Sequence, residues 1–177
     1  MIIMNLESKI KLKRVTGVDL KLLIKWRNSK NIFPYNTQYF LLNSKMQMDW
    51  FNKIQKDSSK KMFMIFYGKL KIGICGLIDI DNENKNAKIA IIIGKESLHG
   101  MGIGTIVISH LLKYGFEKLE LHRINSEVIE FNKNSIRLFE KSQFKLDAIY
   151  RDVIWRNNRW WNMKSMSIFK NDFNKFE

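Results

Sequence analysis

The stretch IAIIIGKESLHGMGIGT, Ile89 to Thr105, decides how the rest of the chain is read. It opens on a short apolar run with isoleucine at 89, 91, 92 and 93, the β-branched composition of a buried strand. Gly94 ends the run and Lys95 to Gly100 is a loop. Beyond it Ile103, Ile106, Val107, His110, Leu111 and Tyr114 recur on one helical face. A strand therefore feeds a helix through His99-Gly100-Met101-Gly102-Ile103-Gly104-Thr105. Glycines in such a loop let the main chain approach a ligand with no side chain between. Successive free amides at a helix N-terminus then bind phosphate oxygens. The loop lacks the Gly-Lys-Ser/Thr ending of a P-loop, and no acidic residue follows about 20 positions on within a βαβ unit, as a dinucleotide fold requires. Alone, such a loop is a weak signal, a tight turn with close helix packing being its other reading.

Working outward, Arg123 to Ile129 reads as a fifth strand and Lys133 to Lys141 as a helix, with Lys145 to Phe169 as two last strands turning at Asn157-Asn158. Upstream, Ala87 to Ile93 is the fourth strand. Leu70 to Ile80 and Met62 to Tyr67 are strands around the turn Gly68-Lys69, and Asp81 to Asn86 is a polar turn. Ile10 to Val15 alternates as a first strand. Leu20, Leu23, Ile24 and Arg27 take helical spacing after Asp19, an acidic N-cap candidate, and Ser44 with Gln47 has the spacing of a capping box before Met48, Phe51 and Ile54, in a helix ending near Asp57. Pro34 falls in the loop between these helices. The order predicts an α+β protein with a central, mixed, mostly antiparallel sheet. With no repeat or linker, one domain is expected over 1–177.

Composition sets limits. A chain of 177 residues, 45% hydrophobic and 12% aromatic, can bury about 70% of its unfolded surface and is no disordered tail. No apolar run approaches the roughly 20 residues of a membrane span, and MIIMNLESKIKLKR lacks a sustained h-region and a cleavage site, so no membrane association and a cytoplasmic location are expected. The single cysteine, Cys75, lies in the apolar run IGICGLI and reads as core. His99, His110 and His122 are too dispersed for a zinc site, so no metal is expected. The net charge of +14 suits a polyanionic ligand by long-range steering. Its lysines are spread along the chain, so it names no partner.

Two motifs carry a resemblance to the GNAT acetyltransferase superfamily. That family's pyrophosphate loop, Arg/Gln-x-x-Gly-x-Gly/Ala, is similar to His99-x-x-Gly102-x-Gly104, and EFNKNSIRLFEKSQF, residues 130–144, resembles its Asn-x-x-Ser/Ala-x-x-x-Tyr-x-x-x-Gly-Phe block. LLKYGFEKLELHRI between them resembles the family's connecting segment, and the likeness spans about residues 60–170. It implies an acetyl-CoA-dependent N-acetyltransferase whose fourth and fifth strands splay apart. Pantetheine would pair with main chain near Ile91, Ile92 and Ile93. His99, Gly100, Met101, Gly102, Ile103, Gly104 and Thr105 would hold pyrophosphate, and Asn132 would face the cofactor arm, a helix N-cap being its other reading.

Four positions depart from the family's pattern: Phe139 stands where a tyrosine acid is usual, Lys88 where the fourth strand often has glutamate, His99 for arginine or glutamine, and Gln143 for glycine. A thiol leaving group of pKa about 8.5 needs little protonation near neutrality, so positioning can carry most of the catalysis. Ser135, similar to a serine of the ribosomal-protein-acetylating branch, is the candidate donor towards the thiolate, its alternative being a plain helix residue. Glu127 and Asp79 are the carboxylate candidates, against a surface role for each. WRN, Trp26 to Asn28, resembles a segment of amino-sugar acetyltransferases, which points Arg27 and Asn28 at the acceptor; a structural ion pair is the other use of Arg27. Trp155, Trp160 and Trp161, interleaved with Arg156 and Arg159, fit core and edge packing, with homodimer contacts open, better than base stacking. The expected reaction is acetylation of a small-molecule primary amine, a nucleotide-linked amino sugar for preference. Polyamine or ribosomal-protein N-terminus as acceptor, and a noncatalytic CoA- or partner-binding module, are the alternatives. Nucleic acid is not an expected partner.

Overall fold

The computed structural model describes residues 6–173. In chain order the main elements are β1 (Ile10–Arg14), α1 (Leu20–Arg27), α2 (Ser44–Lys56), β2 (Lys61–Tyr67), β3 (Leu70–Asp81), β4 (Asn86–Ile93), α3 (Ile103–Lys113), β5 (Arg123–Ile129), α4 (Lys133–Lys141), β6 (Lys145–Arg156), β7 (Arg159–Phe169) and α5 (Lys170–Phe173). The strands form one sheet in the order β1-β2-β3-β4-β5-β7-β6. Every neighbouring pair is antiparallel except β4 and β5, which are parallel.

Alternation along each strand separates two apolar layers. Ile65, Cys75, Leu77, Ala87, Ile89, Ile124 and Val128 pack with Ile103, Val107, Leu111, Ile136 and Phe139 of α3 and α4 on one face. On the other, Met64, Ile74 and Ile92 meet Leu20, Leu23 and Trp26 of α1 and Trp50, Phe51 and Ile54 of α2. Burial drives the Cys75 thiol far above its ordinary pKa, leaving it the inert core side chain expected.

The turns follow their residues. Gly68, at φ +60, is the first residue of the two-residue link between β2 and β3, and Asn157 and Asn158, at φ +52 and +57, make the primed turn between β6 and β7.

Three local expectations are corrected. The α2 cap is Asn43, not Ser44: the extended Asn43 accepts from the Met46 N–H at 2.9 Å, which leaves Ser44 in the first turn. Asp19 takes the N-cap position of α1, but its side chain makes no capping bond to that helix. It closes a capping box with Thr16 one turn earlier and is buried against the Lys71 ammonium, 52 residues away. Trp155 and Trp160 are not core: they form an edge-to-face cross-strand pair with centroids 5.2 Å apart, each about half exposed.

Candidate active site

The parallel ladder between β4 and β5 is brief. It holds only Asn86↔Arg123, Ala87↔Ile124 and Lys88↔Asn125, whereas β4 stays paired with β3 as far as Ile93 and β5 with β7 as far as Ile129. Beyond Lys88 the two strands separate, leaving a wedge with one unpaired main-chain edge on β4. Alternation says which groups line it. Gly94 N–H bonds Ile72 C=O at 2.8 Å, so the even-numbered residues Ala90 and Ile92 direct their main chain at β3. Lys85 C=O accepts from His122 and Arg123 on the opposite side, and Ile91 and Ile93 share that parity. Of the three isoleucines expected to pair with a ligand arm, Ile91 therefore offers N–H and C=O to the wedge, Ile93 offers its N–H, its C=O being engaged by His99, and Ile92 offers neither.

At the mouth of the wedge the loop turns on Gly100 and Gly102, both at φ +80, where any other residue would be strained. Gly102 caps α3, and the first helical bond is Ile106 N–H to Gly102 C=O, so the N–H groups of Ile103, Gly104 and Thr105 precede the ladder. This is the donor array a phosphate needs. Gly104 serves packing as well, since a Cβ there would press on the Leu138 methyls of α4 at 3.0 Å. Met101 is exposed and Ile103 buried. The His99 ring lies back on the strand end, its Nε2 2.8 Å from Ile93 O, and ties the loop to β4.

The opposite wall is β5 and the start of α4. Asn132 is the α4 N-cap, its Oδ1 accepting from Ser135 N–H at 3.2 Å. The Ser135 hydroxyl makes no hydrogen bond among the described residues. Phe139, at the tyrosine position, is a core residue in edge-to-face contact with Phe144 at 5.0 Å, and it brings no acid to the site. Gln143 takes φ +69, the left-handed conformation that favours the glycine usual there.

On the other face of the sheet Lys88 stands between Asp79 at 3.6 Å and Glu127 at 3.4 Å. The two carboxylate candidates are thus brought together by the lysine that replaces the family's glutamate, at the point where the strands part. The end of α1 docks beside the wedge, because a Cβ on Gly94 would overlap the Trp26 indole. The next residue, Arg27, is half-buried, its Nε has no partner, and no ion pair reaches it among the described residues. Burial lowers its pKa from the ordinary guanidinium value. Asn28 is committed to the scaffold: its amide donates to Leu42 C=O at 2.8 Å and accepts from Leu42 N–H at 2.9 Å. No cluster of three or more metal-ligating side chains occurs among the described residues.

Sequence reasoning missed the groups that shape this wall. Arg156 donates to Asn36 C=O and Thr37 C=O and lies 3.8 Å from the Tyr39 ring centroid, pinning the loop after α1. Phe131 contacts Trp161 at 4.7 Å and Tyr35 at 5.8 Å, with the Arg159 guanidinium over Trp161. Glu130 bonds Asn162. Apart from Arg159 over Trp161, nothing in local spacing signals these contacts, which join residues 30 to 120 positions apart.

A mixed sheet opened between its two parallel strands, with a glycine-led helix N-terminus at the opening, has the architecture of a protein that takes an extended, phosphorylated ligand. The chain belongs to the GNAT acetyltransferase family: the family model for the acetyltransferase (GNAT) domain matches residues 9–145. It is an N-acetyltransferase, which sets aside the noncatalytic alternative. Acetyltransferase PseH of Campylobacter jejuni is 28% identical over 141 residues, 77% of this chain and 85% of that protein. Spermidine N(1)-acetyltransferase of Escherichia coli is 23% identical over 164 residues, 93% of this chain and 88% of the relative. Among solved structures, spermidine N-acetyltransferase from Vibrio cholerae in complex with CoA and spermine superposes with a TM-score of 0.87 at 25% identity, covering 94% of this chain and 99% of that one.

Proposed function

We propose that this enzyme transfers the acetyl group of acetyl-CoA to the primary amine of a nucleotide-linked amino sugar. The observation that carries the acceptor is Arg27. A half-buried guanidinium with no counter-ion among the described residues is costly to keep charged, and a phosphate would pair with it bidentately. Charge on the facing carboxylates argues the same way. The single Lys88 ammonium lies between Asp79 and Glu127 and offsets one of their two charges, so a polycation would meet one net negative charge there instead of an acidic cluster.

The residues fit the cofactor. The open edge at Ile91 and Ile93 suits the amides of pantetheine, the N–H groups of Ile103, Gly104 and Thr105 with the loop from His99 suit pyrophosphate, and Asn132 stands on the facing wall. Acetyl-CoA supplies the activated acyl group as a thioester. Ser135 offers its hydroxyl towards the departing sulfur, and Glu127 is the carboxylate for the proton of the acceptor ammonium. With no tyrosine acid, holding the amine and thioester together supplies most of the acceleration. Trp155 and Trp160 on the β6–β7 hairpin are assigned to contact with a second copy of the chain, which sedimentation velocity tests.

A polyamine acceptor is the second reading, favoured by the close superposition on the Vibrio cholerae spermidine enzyme. A CoA-release assay on a UDP-linked amino sugar, the free amino sugar, spermidine and a ribosomal-protein N-terminal peptide separates them. The nucleotide-linked sugar should give the highest kcat/KM, and Arg27→Met should lower it about tenfold to a hundredfold, the range of a lost charge-assisted hydrogen bond. Highest activity on spermidine, indifferent to Arg27→Met, would establish the polyamine reading instead.

A further inference from the structure

Past Lys88 the β5 strand must stay with β7 if the wedge is to remain open, and an unusual set of bonds holds its tip there. The ladder with β7 ends at Ile129↔Met163, and one residue further on the contacts multiply. Glu130 N–H donates to Asn162 C=O at 3.0 Å. The Glu130 carboxylate takes the Asn162 main-chain N–H on Oε1 and the side-chain Nδ2 on Oε2, each at 3.1 Å. Asn162 Oδ1 in turn accepts from Asp152 N–H at 3.0 Å. Asp152 sits at φ +53 inside the irregularity of β6 between Tyr150 and Ile154, so the edge strand is bulged where its N–H reaches Asn162. The residues that follow Glu130 are Phe131, whose ring closes on Trp161, and Asn132, the α4 cap.

We propose that the Glu130–Asn162 clamp is the positioning device that holds the β5 wall of the wedge away from β4 and thereby sets the affinity for acetyl-CoA. It is specific to the open half of the strand. At the start of β5, where β4 and β7 both pair with it, the side-chain tie is the Arg123–Asp147 ion pair at 2.7 Å, which reaches past β7 to β6 and faces no wedge. A carboxylate that grips one asparagine through both main chain and side chain fixes the direction of the strand end as well as its register. The start of α4, with Asn132 and Ser135, is placed by that direction.

This rests on the reading that acetyl-CoA occupies the wedge, so its affinity for the wild-type full chain is measured first by isothermal titration. Absence of binding there would overturn that reading and this inference together. Glu130→Gln, Glu130→Ala, Asn162→Ala and, as control, Arg123→Gln are then compared for acetyl-CoA Kd and for Tm. Glu130→Ala and Asn162→Ala should weaken acetyl-CoA about tenfold or more, the effect of losing charge-assisted bonds. Glu130→Gln, which keeps one acceptor and turns a second donor on Asn162 Nδ2, should fall between. Arg123→Gln should lower Tm while leaving Kd within about twofold. Should Glu130→Ala fail to fold, Glu130→Gln and Asn162→Ala decide the matter. A Tm loss in the clamp variants like that of Arg123→Gln, with Kd unchanged, would reduce the clamp to a sheet-stabilising contact and overturn the proposal.

Discussion

Gln143 closes α4 in a conformation its side chain does not favour. Phe144 N–H bonds Phe139 C=O at 3.0 Å and Gln143 N–H bonds Glu140 C=O at 3.1 Å, the paired bonds of a Schellman motif, and the Phe139–Phe144 contact supplies its apolar seal. At φ +69 a glycine would be at ease. Gln143→Gly should therefore raise stability by about 0.5–1 kcal/mol in urea unfolding, and a loss of stability would show that the Gln143 side chain makes an offsetting contact. The same block was legible down to its missing acid, since the spacing from Asn132 to Phe144 puts Phe139 where a tyrosine is usual, but that position 139 faces the core depends on how α4 packs. Asp57 gives a second test at this scale. Hydrogen bonds from Lys60 and then Ser59 hold its pKa down at about 2. A depressed carboxylate stabilises the fold fully above its unfolded value near 3.9 and loses that contribution as pH falls through about 2. Asp19 works in the same direction, burial opposing and the Lys71 and Thr16 bonds prevailing. Between pH 4.5 and 2 the urea midpoint of the wild type should fall more steeply than that of Asp57→Asn, and parallel curves would remove Asp57 from the acid response.

Elements whose signals are local were legible. The strand Ala87 to Ile93 and the helix from Ile103 follow from composition and spacing, and the hairpin at Asn157-Asn158 from two residues that tolerate positive φ. The parallel pairing of β4 with β5 is another matter. It depends on β7 returning to β5 from the far end of the chain, and the wedge exists because β5 pairs with β7 along its whole length and with β4 at only three positions. No period in the sequence encodes that. The geometry has a direct consequence for amide exchange. Ala90 and Ile92 are committed to β3, whereas Ile91 and Ile93 present N–H groups to the open wedge. In the free protein Ile91 and Ile93 should exchange much faster than Ala90 and Ile92, and acetyl-CoA should slow only the first pair. Protection of Ile91 and Ile93 before any ligand is added would mean that the wedge is closed in solution.

For the molecule as a whole, the acceptor was the least legible feature, because the loop after α1 is set by distant groups. Arg156, 120 residues along the chain, holds Asn36, and Asn28 is spent on Leu42. A segment that resembles an acceptor-binding motif can thus hold a scaffold residue at one position and, at the one before, a guanidinium with no ion pair among the described residues. Charge is the opposite case: it is read at once from 31 basic and 17 acidic residues, yet says nothing of place. What a net +14 does predict is kinetic. Acetyl-CoA is a polyanion, and a protein of net positive charge raises its encounter rate by an amount that salt screens, the Debye length shrinking from about 30 Å at 0.01 M to about 3 Å at 1 M. The pyrophosphate donors of the loop are main-chain N–H groups at short range and are screened far less. Raising NaCl from 20 to 500 mM should therefore slow acetyl-CoA association about tenfold or more in stopped-flow measurements while dissociation changes little. Steering is refuted if the association rate stays flat over that range, and a loss carried mainly by faster dissociation would move the electrostatic contribution from the surface into the site.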